Sequence, residues 1–210
     1  MQYHSTRGQV SNLTFVETAM MGLASDGGLM VPQSIPDVSD KCASWKRLSY
    51  EALAFEVMRP FISDLPESVL KNIIEKSYST FEEPLIAPVR SLENLHVLEL
   101  FHGPTLAFKD IALQFLGNLF DFVLEKTNSN LNILGATSGD TGGAAIAGIK
   151  GKKRINIFVL YPEGKTSRLQ ERQMTTIIED NVHNICLKGS FDDCQSLMKS
   201  VFSDLSFRKK

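Results

Sequence analysis

Cysteine is scarce in this chain: Cys42, Cys186 and Cys194 are the only three in 210 residues. An odd, widely spaced set argues against a disulfide framework and for reduced thiols, and Cys194, at a helix start, reads as buried filler rather than nucleophile. Histidine is equally sparse, and His4, His96, His102 and His183 show none of the spacings that hold a metal. Neither sign of charge dominates, with 22 lysines and arginines against 24 aspartates and glutamates and a net charge of −2. That balance gives no reason to expect nucleic acid or an anionic membrane as a partner. The one basic cluster, Lys150, Lys152, Lys153 and Arg154, reads as a solvated turn between a helix and a strand. Long apolar runs are missing too. Met1 begins a polar stretch, so neither a signal peptide nor a spanning segment is expected, and the chain reads as soluble and cytoplasmic.

What is present is enough for a real core, since 43% of the residues are apolar. Residues 1–90 read as a small, mainly helical N-terminal domain. A short strand over 2–5 leads to a helix over 14–22, with Glu17 three residues after a Thr14 cap. Residues 24–36 read as loop, turning at Asp26-Gly27-Gly28, and two amphipathic helices follow over 49–58 and 66–78. Glu82, Glu83, Pro84 and Pro88 mark a connector. From residue 91 onward the pattern alternates. Strands are expected over 96–101, 131–135, 155–161 and 181–187, with helices over 108–126, 141–149, 166–178 and 191–203. Short β-branched runs between helices imply βαβ units, hence an α/β domain with a parallel sheet and flanking helices. Phe115, Leu119 and Phe122, at helical spacing, read as core.

Two segments carry the chemistry. Leu98–Asp110, LELFHGPTLAFKD, ends an apolar run in Gly103-Pro104 and sets Lys109 where a helical pattern begins. Ile133–Gly143, ILGATSGDTGG, opens another apolar run into a glycine-rich loop and a helix. The loop is not a P-loop, because no Lys-Ser or Lys-Thr follows its glycines, and it does not fit the dinucleotide fingerprint. Strand-to-helix crossings leave backbone N–H groups pointing outward, which suits anions. A lysine at one crossing and an anion cradle at the next is the layout a pyridoxal-phosphate enzyme needs. The role asks for an amine that is uncharged part of the time, which a helix start and the apolar neighbours Phe101, Leu106, Ala107 and Phe108 favour. Spacing alone reads Lys109 more readily as a solvated side chain, and the glycine-rich loop equally as a tight turn or a cradle for the cofactor's own phosphate.

FHGPTLAFKDIALQ and ILGATSGDTGGAAI resemble the two hallmark segments of threonine synthases, which are fold-type II pyridoxal-phosphate enzymes. Tyr3–Gly8, Leu23–Pro32, Val159–Pro162, Gln170–Thr176, Asn181–His183 and Phe191–Gln195 resemble the same family in the same order, so the likeness covers the whole chain. The resemblance implies that Lys109 binds pyridoxal 5′-phosphate covalently, with Phe108 and Asp140 beside the cofactor. Thr137, Ser138, Gly139, Asp140 and Thr141 are then the clamp for the substrate carboxylate. Related fold-type II enzymes have an asparagine where Asp140 stands; a carboxylate there either accepts a proton or orients the loop. The implied substrate is O-phospho-L-homoserine, converted with water to L-threonine and phosphate. Arg7 with Ser5 and Thr6, His102, Lys165, Arg168 and Arg172 are the candidates for holding the phosphate, Arg7 foremost.

Members of that family are considerably longer than this chain. No second glycine-rich strand-to-helix loop, of the kind that cradles the cofactor phosphate, occurs between Gly143 and Lys210. The expectation is therefore the N-terminal portion of a larger enzyme, with the activity of the piece alone open and its oligomeric state either monomer or homodimer. Two further readings stand beside it: a related phospholyase acting on another phosphorylated amino acid, and a non-catalytic remnant serving as an interaction module.

Overall fold

The computed structural model describes residues 1–208. They divide into two compact units, Met1–Glu75 and Lys76–Arg208. In the first, β1 (Tyr3–Ser5) pairs antiparallel with β2 (Met30–Pro32), Tyr3 opposite Pro32 and Ser5 opposite Met30. Strand β2 lies in a stretch the sequence reads as loop; backbone pairing with β1 forms it, not a buried face, for its three residues are only half-buried. Between them α1 (Phe15–Met21) opens on the expected capping box. The Thr14 hydroxyl accepts from the Glu17 N–H at 3.3 Å, and the Glu17 carboxylate accepts from the Thr14 N–H at 2.8 Å. After a short α2 (Cys42–Trp45) come α3 (Tyr50–Met58), capped by Ser49, and α4 (Glu67–Tyr78), within which the two units meet in sequence.

The second unit begins with a feature the sequence reading places elsewhere. Residues 96–101 do not join the parallel sheet. Instead β3 (Val89–Leu92) and β4 (Leu95–Leu98) make an antiparallel hairpin closed by Glu93-Asn94, with Glu93 at φ 49°. Most of its residues are exposed, so no buried face imprints a period on the sequence. The chain then runs irregularly to α5 (Asp110–Thr127), whose core face is Phe115, Leu119, Phe120, Val123 and Leu124. Phe122, expected in that face, is half-buried. Asn128 stops α5 in the left-handed conformation, its N–H bonding back to the Leu124 and Glu125 carbonyls.

From there the βαβ reading holds. Strands β5 (Leu131–Ala136), β6 (Ile155–Pro162) and β7 (Val182–Leu187) form a parallel sheet in the order β5-β6-β7. Helices α6 (Asp140–Ile149) and α7 (Arg168–Thr175) make the crossovers, and α8 (Phe191–Ser203), opened by a Ser190/Asp193 capping box, packs on β5 and β6 before a short α9 (Leu205–Arg208). The central strand is the most deeply covered, with Ile155, Ile157, Val159 and Leu160 at most 4% exposed. Helices α5 and α6 cross in close contact because two glycines face each other. A Cβ on Gly117 would run into the Gly148 carbonyl, and one on Gly148 would come within 2.6 Å of the Leu113 carbonyl.

Candidate active site

A cleft of about 350 Å³ opens where the carboxyl ends of the parallel strands meet their helices. Its walls are the turn after β5 (Ala136 to Thr141), Phe108 and Lys109 at the start of α5, Gln170 of α7 and Phe191 at the start of α8. This is where ligands gather in open α/β sheets.

The lysine side is built by Asp110. Its carboxylate is fully buried and accepts from the Thr105 N–H at 2.8 Å, the Thr105 hydroxyl at 2.9 Å and the Gln114 amide at 3.0 Å, with the Ala107 N–H at 3.4 Å. These bonds curl residues 103–107 around the helix start and leave Lys109 as the N-cap residue, in αR conformation at φ −65° and ψ −21°. Gly103 has no side chain because a Cβ there would fall 2.5 Å from the Asp110 Cβ. Leu106 takes φ 60°, a strained backbone for a non-glycine residue, and donates its N–H to Gly103 across the turn. Lys109 Nζ sits 4.6 Å from the centre of the Phe108 ring. Of the apolar neighbours expected to surround the amine, Ala107 is buried, whereas Phe101, Leu106 and Phe108 are more than half exposed.

On the opposite side, Thr137 is the buried post of the turn. Its hydroxyl accepts the Gly139 N–H at 3.1 Å and the Gly142 N–H at 3.0 Å, and donates to the Gly139 carbonyl. Ser138, Asp140 and Thr141 stand exposed on the cleft. Gly142 is required because a Cβ would strike both Met174 Sδ and the Thr137 methyl.

Thus Lys109, Phe108, Thr137, Ser138, Gly139, Asp140 and Thr141 share one cleft. His102 is not among the residues lining it; its Nε2 pairs with Glu99 at 2.8 Å, which Arg90 also approaches at 3.4 Å, and the His102 bond is the first cause of a lowered Glu99 carboxyl pKa. Lys165, Arg168 and Arg172 are likewise outside the lining. Arg7 belongs to the first unit, where its Nη1 donates to the Asp26 carbonyl at 2.9 Å in room left by Gly27. Ser5 donates to the Asp26 carboxylate at 2.7 Å, and Thr6 accepts from the Leu29 N–H. Gln170 and Phe191 also line the cleft; neither side chain carries a chemistry that marks it in the sequence, although both open segments that resemble the family. Asp110, beside the lysine, is turned away from the amine's role into the loop. Among the described residues there is no cluster able to hold a metal ion and no helix long and apolar enough to cross a membrane.

A family model described as the threonine synthase N terminus matches residues 2–78. The threonine synthase of Schizosaccharomyces pombe is 51% identical over 222 aligned residues, covering 100% of this chain and 43% of the relative. That of Pseudomonas aeruginosa is 50% identical, covering 100% of this chain and 45% of the relative. The crystal structure of pyridoxal-phosphate-bound threonine synthase from Brucella melitensis superposes with a TM-score of 0.89 at 43% identity, over 99% of this chain and 45% of that one. The chain therefore spans somewhat less than half the length of the relatives it matches.

Proposed function

Because the chain matches the N-terminal portion of threonine synthases along its whole length, we propose that it supplies the covalent lysine and the substrate turn of such an enzyme. The whole protein would convert O-phospho-L-homoserine and water to L-threonine and phosphate with pyridoxal 5′-phosphate as cofactor. The observation that carries this reading is the shared cleft of Lys109 and the Thr137–Thr141 turn. The donor set fits the aldehyde end of the cofactor and the carboxylate of an amino acid. There is one primary amine, a half-exposed ring at Phe108, and hydroxyls and N–H groups at a helix start. When bound, the cofactor supplies an electron sink for negative charge on the substrate carbons.

The chain's own residues have the following work. Lys109 Nζ anchors the cofactor and, once substrate is seated, takes the proton from Cα and moves protons at the adjoining carbons. Ser138 and Thr141 hold the substrate carboxylate with the N–H groups that open α6, while the Thr137 hydroxyl keeps that turn in shape. Arg7 is the proposed holder of the substrate phosphate, with His102 a further candidate. Unpaired cysteines at Cys42, Cys186 and Cys194 support a cytosolic reading, and the proposed assembly is a monomer or homodimer.

The test is phosphate release and threonine formation by the full-length protein that carries this sequence. Wild type should yield both products in equal amounts. Lys109→Ala should lose about a thousandfold or more in rate, since it removes base and anchor together. A Lys109→Ala protein that forms threonine at the normal rate overturns the assignment.

A further inference from the structure

Helix α7 touches both halves of the cleft, although its only buried residue is Met174. From its first turn, Gln170 donates through Nε2 to Asp140 Oδ1. The amide is oriented by its own helix cap. The Ser167 oxygen accepts the Gln170 N–H at 3.3 Å, and the Ser167 hydroxyl therefore donates to Gln170 Oε1 at 2.8 Å. With Oε1 occupied, the NH₂ group faces the carboxylate, which only accepts when ionised. Gly139 makes room for this approach, since a Cβ there would lie 2.7 Å from Gln170 Oε1. Three residues on, on the same helix face, Gln173 Nε2 donates to the Thr105 carbonyl at 3.1 Å. Thr105 is the residue whose N–H and hydroxyl hold Asp110 beneath Lys109. The helix itself is pinned at its far end by Asn184, which donates to the Met174 carbonyl at 3.1 Å.

We infer that Gln170 and Gln173 are positioning residues for the reaction: through Asp140 and Thr105 they fix the substrate turn and the lysine-bearing turn to one rigid helix. This rests on the proposed function for its catalytic meaning, and it assigns the Asp140 carboxylate to orienting its loop. Neither glutamine reacts. Each acts through the residue it holds, and together they set the separation of the amine from the turn across the cleft.

Hydrogen exchange of the ligand-free full-length protein that carries this sequence tests the latch without any cofactor. Gln170→Ala should speed exchange about fivefold in peptides over 136–143, and Gln173→Ala about fivefold over 103–109, as expected for one lost hydrogen bond, with β6 unchanged. Gln170→Glu separates latching from space-filling, because it keeps the shape but sets a second carboxylate against Asp140. Besides Asp140, the charged side chain lining the cleft is Lys109; Arg168, Glu171 and Arg172 of α7 and Asp192 and Asp193 of α8 are not among the lining residues. Against wild type at each pH, Gln170→Glu should exchange faster over 136–143 at about pH 8 and return to the wild-type rate near about pH 5, where the pair shares a proton. Unchanged exchange in either loop, or a Gln170→Glu protein matching wild type at both pH values, overturns the inference. A second readout is the rate at which pyridoxal 5′-phosphate with borohydride labels Lys109, which should fall about fivefold in Gln173→Ala. Labelling of Lys109 at equal rates in both proteins counts against the latch. Absence of Lys109 labelling in wild type counts against the proposed function and leaves the exchange result to decide the latch.

Discussion

Asp110 decides where Lys109 stands. From sequence it is a charge beside a candidate amine, and its one legible clue is Gln114 four residues on, at helical contact spacing. In the fold it is a fully buried carboxylate that gathers the Thr105, Ala107 and Gln114 donors and so shapes the turn before α5. Asp110→Ala takes the acceptor from the Thr105 N–H and hydroxyl and the Ala107 N–H and leaves the Gln114 amide only the Ala144 carbonyl, and it should cost about 2–3 kcal/mol in chemical denaturation. A loss below about 0.5 kcal/mol would mean water replaces the carboxylate. That Lys109 and Thr137–Thr141 lie together was legible because both motifs are contiguous and fall at strand-to-helix crossings. Gln170 was not: its meaning depends on α7 folding back onto the turn after β5, a contact 30 residues apart in sequence.

At the scale of elements, the parallel sheet and its helices follow from periodicity, and the strand limits move by a residue at most. The α8 limits are those expected. What periodicity could not give was the β3–β4 hairpin, whose Val89, Leu92, Leu95 and Leu98 are all exposed by more than half and so show no inside face. It also hid the close crossing of α5 and α6. Glycine is a poor helix former, and Gly117→Ala would gain about 1 kcal/mol in propensity alone. The Gly148 carbonyl occupies the space an alanine methyl needs, and it is backbone, which cannot swing aside. Overpacking of that kind costs about 1–3 kcal/mol. Gly117→Ala should therefore lower the thermal midpoint, whereas a raised midpoint would show that the helices can separate without loss.

For the molecule as a whole, titration sets a window of stability. The Asp26 carboxyl is held below its usual range first by the Ser5 hydroxyl, Glu99 first by His102, and Asp193 first by the Ser190 N–H. A lowered folded-state value means stability that is present above the ordinary carboxylate range and is lost as pH falls through the folded value. Burial raises the Cys194 thiol and the Tyr3 and Tyr161 phenols, and that stability is lost as pH rises past their ordinary range. The thermal midpoint should thus be level between about pH 5 and pH 8 and fall on both sides. A midpoint that climbs steadily toward about pH 3 would contradict these assignments. The most direct test of the central claim, that Lys109 faces the Thr137–Thr141 turn as the cofactor lysine, is borohydride trapping with pyridoxal 5′-phosphate followed by peptide mapping. One dominant adduct is expected, on Lys109, lost in Lys109→Ala. Adducts scattered over surface lysines, with Lys109 no more reactive than the rest, would contradict it.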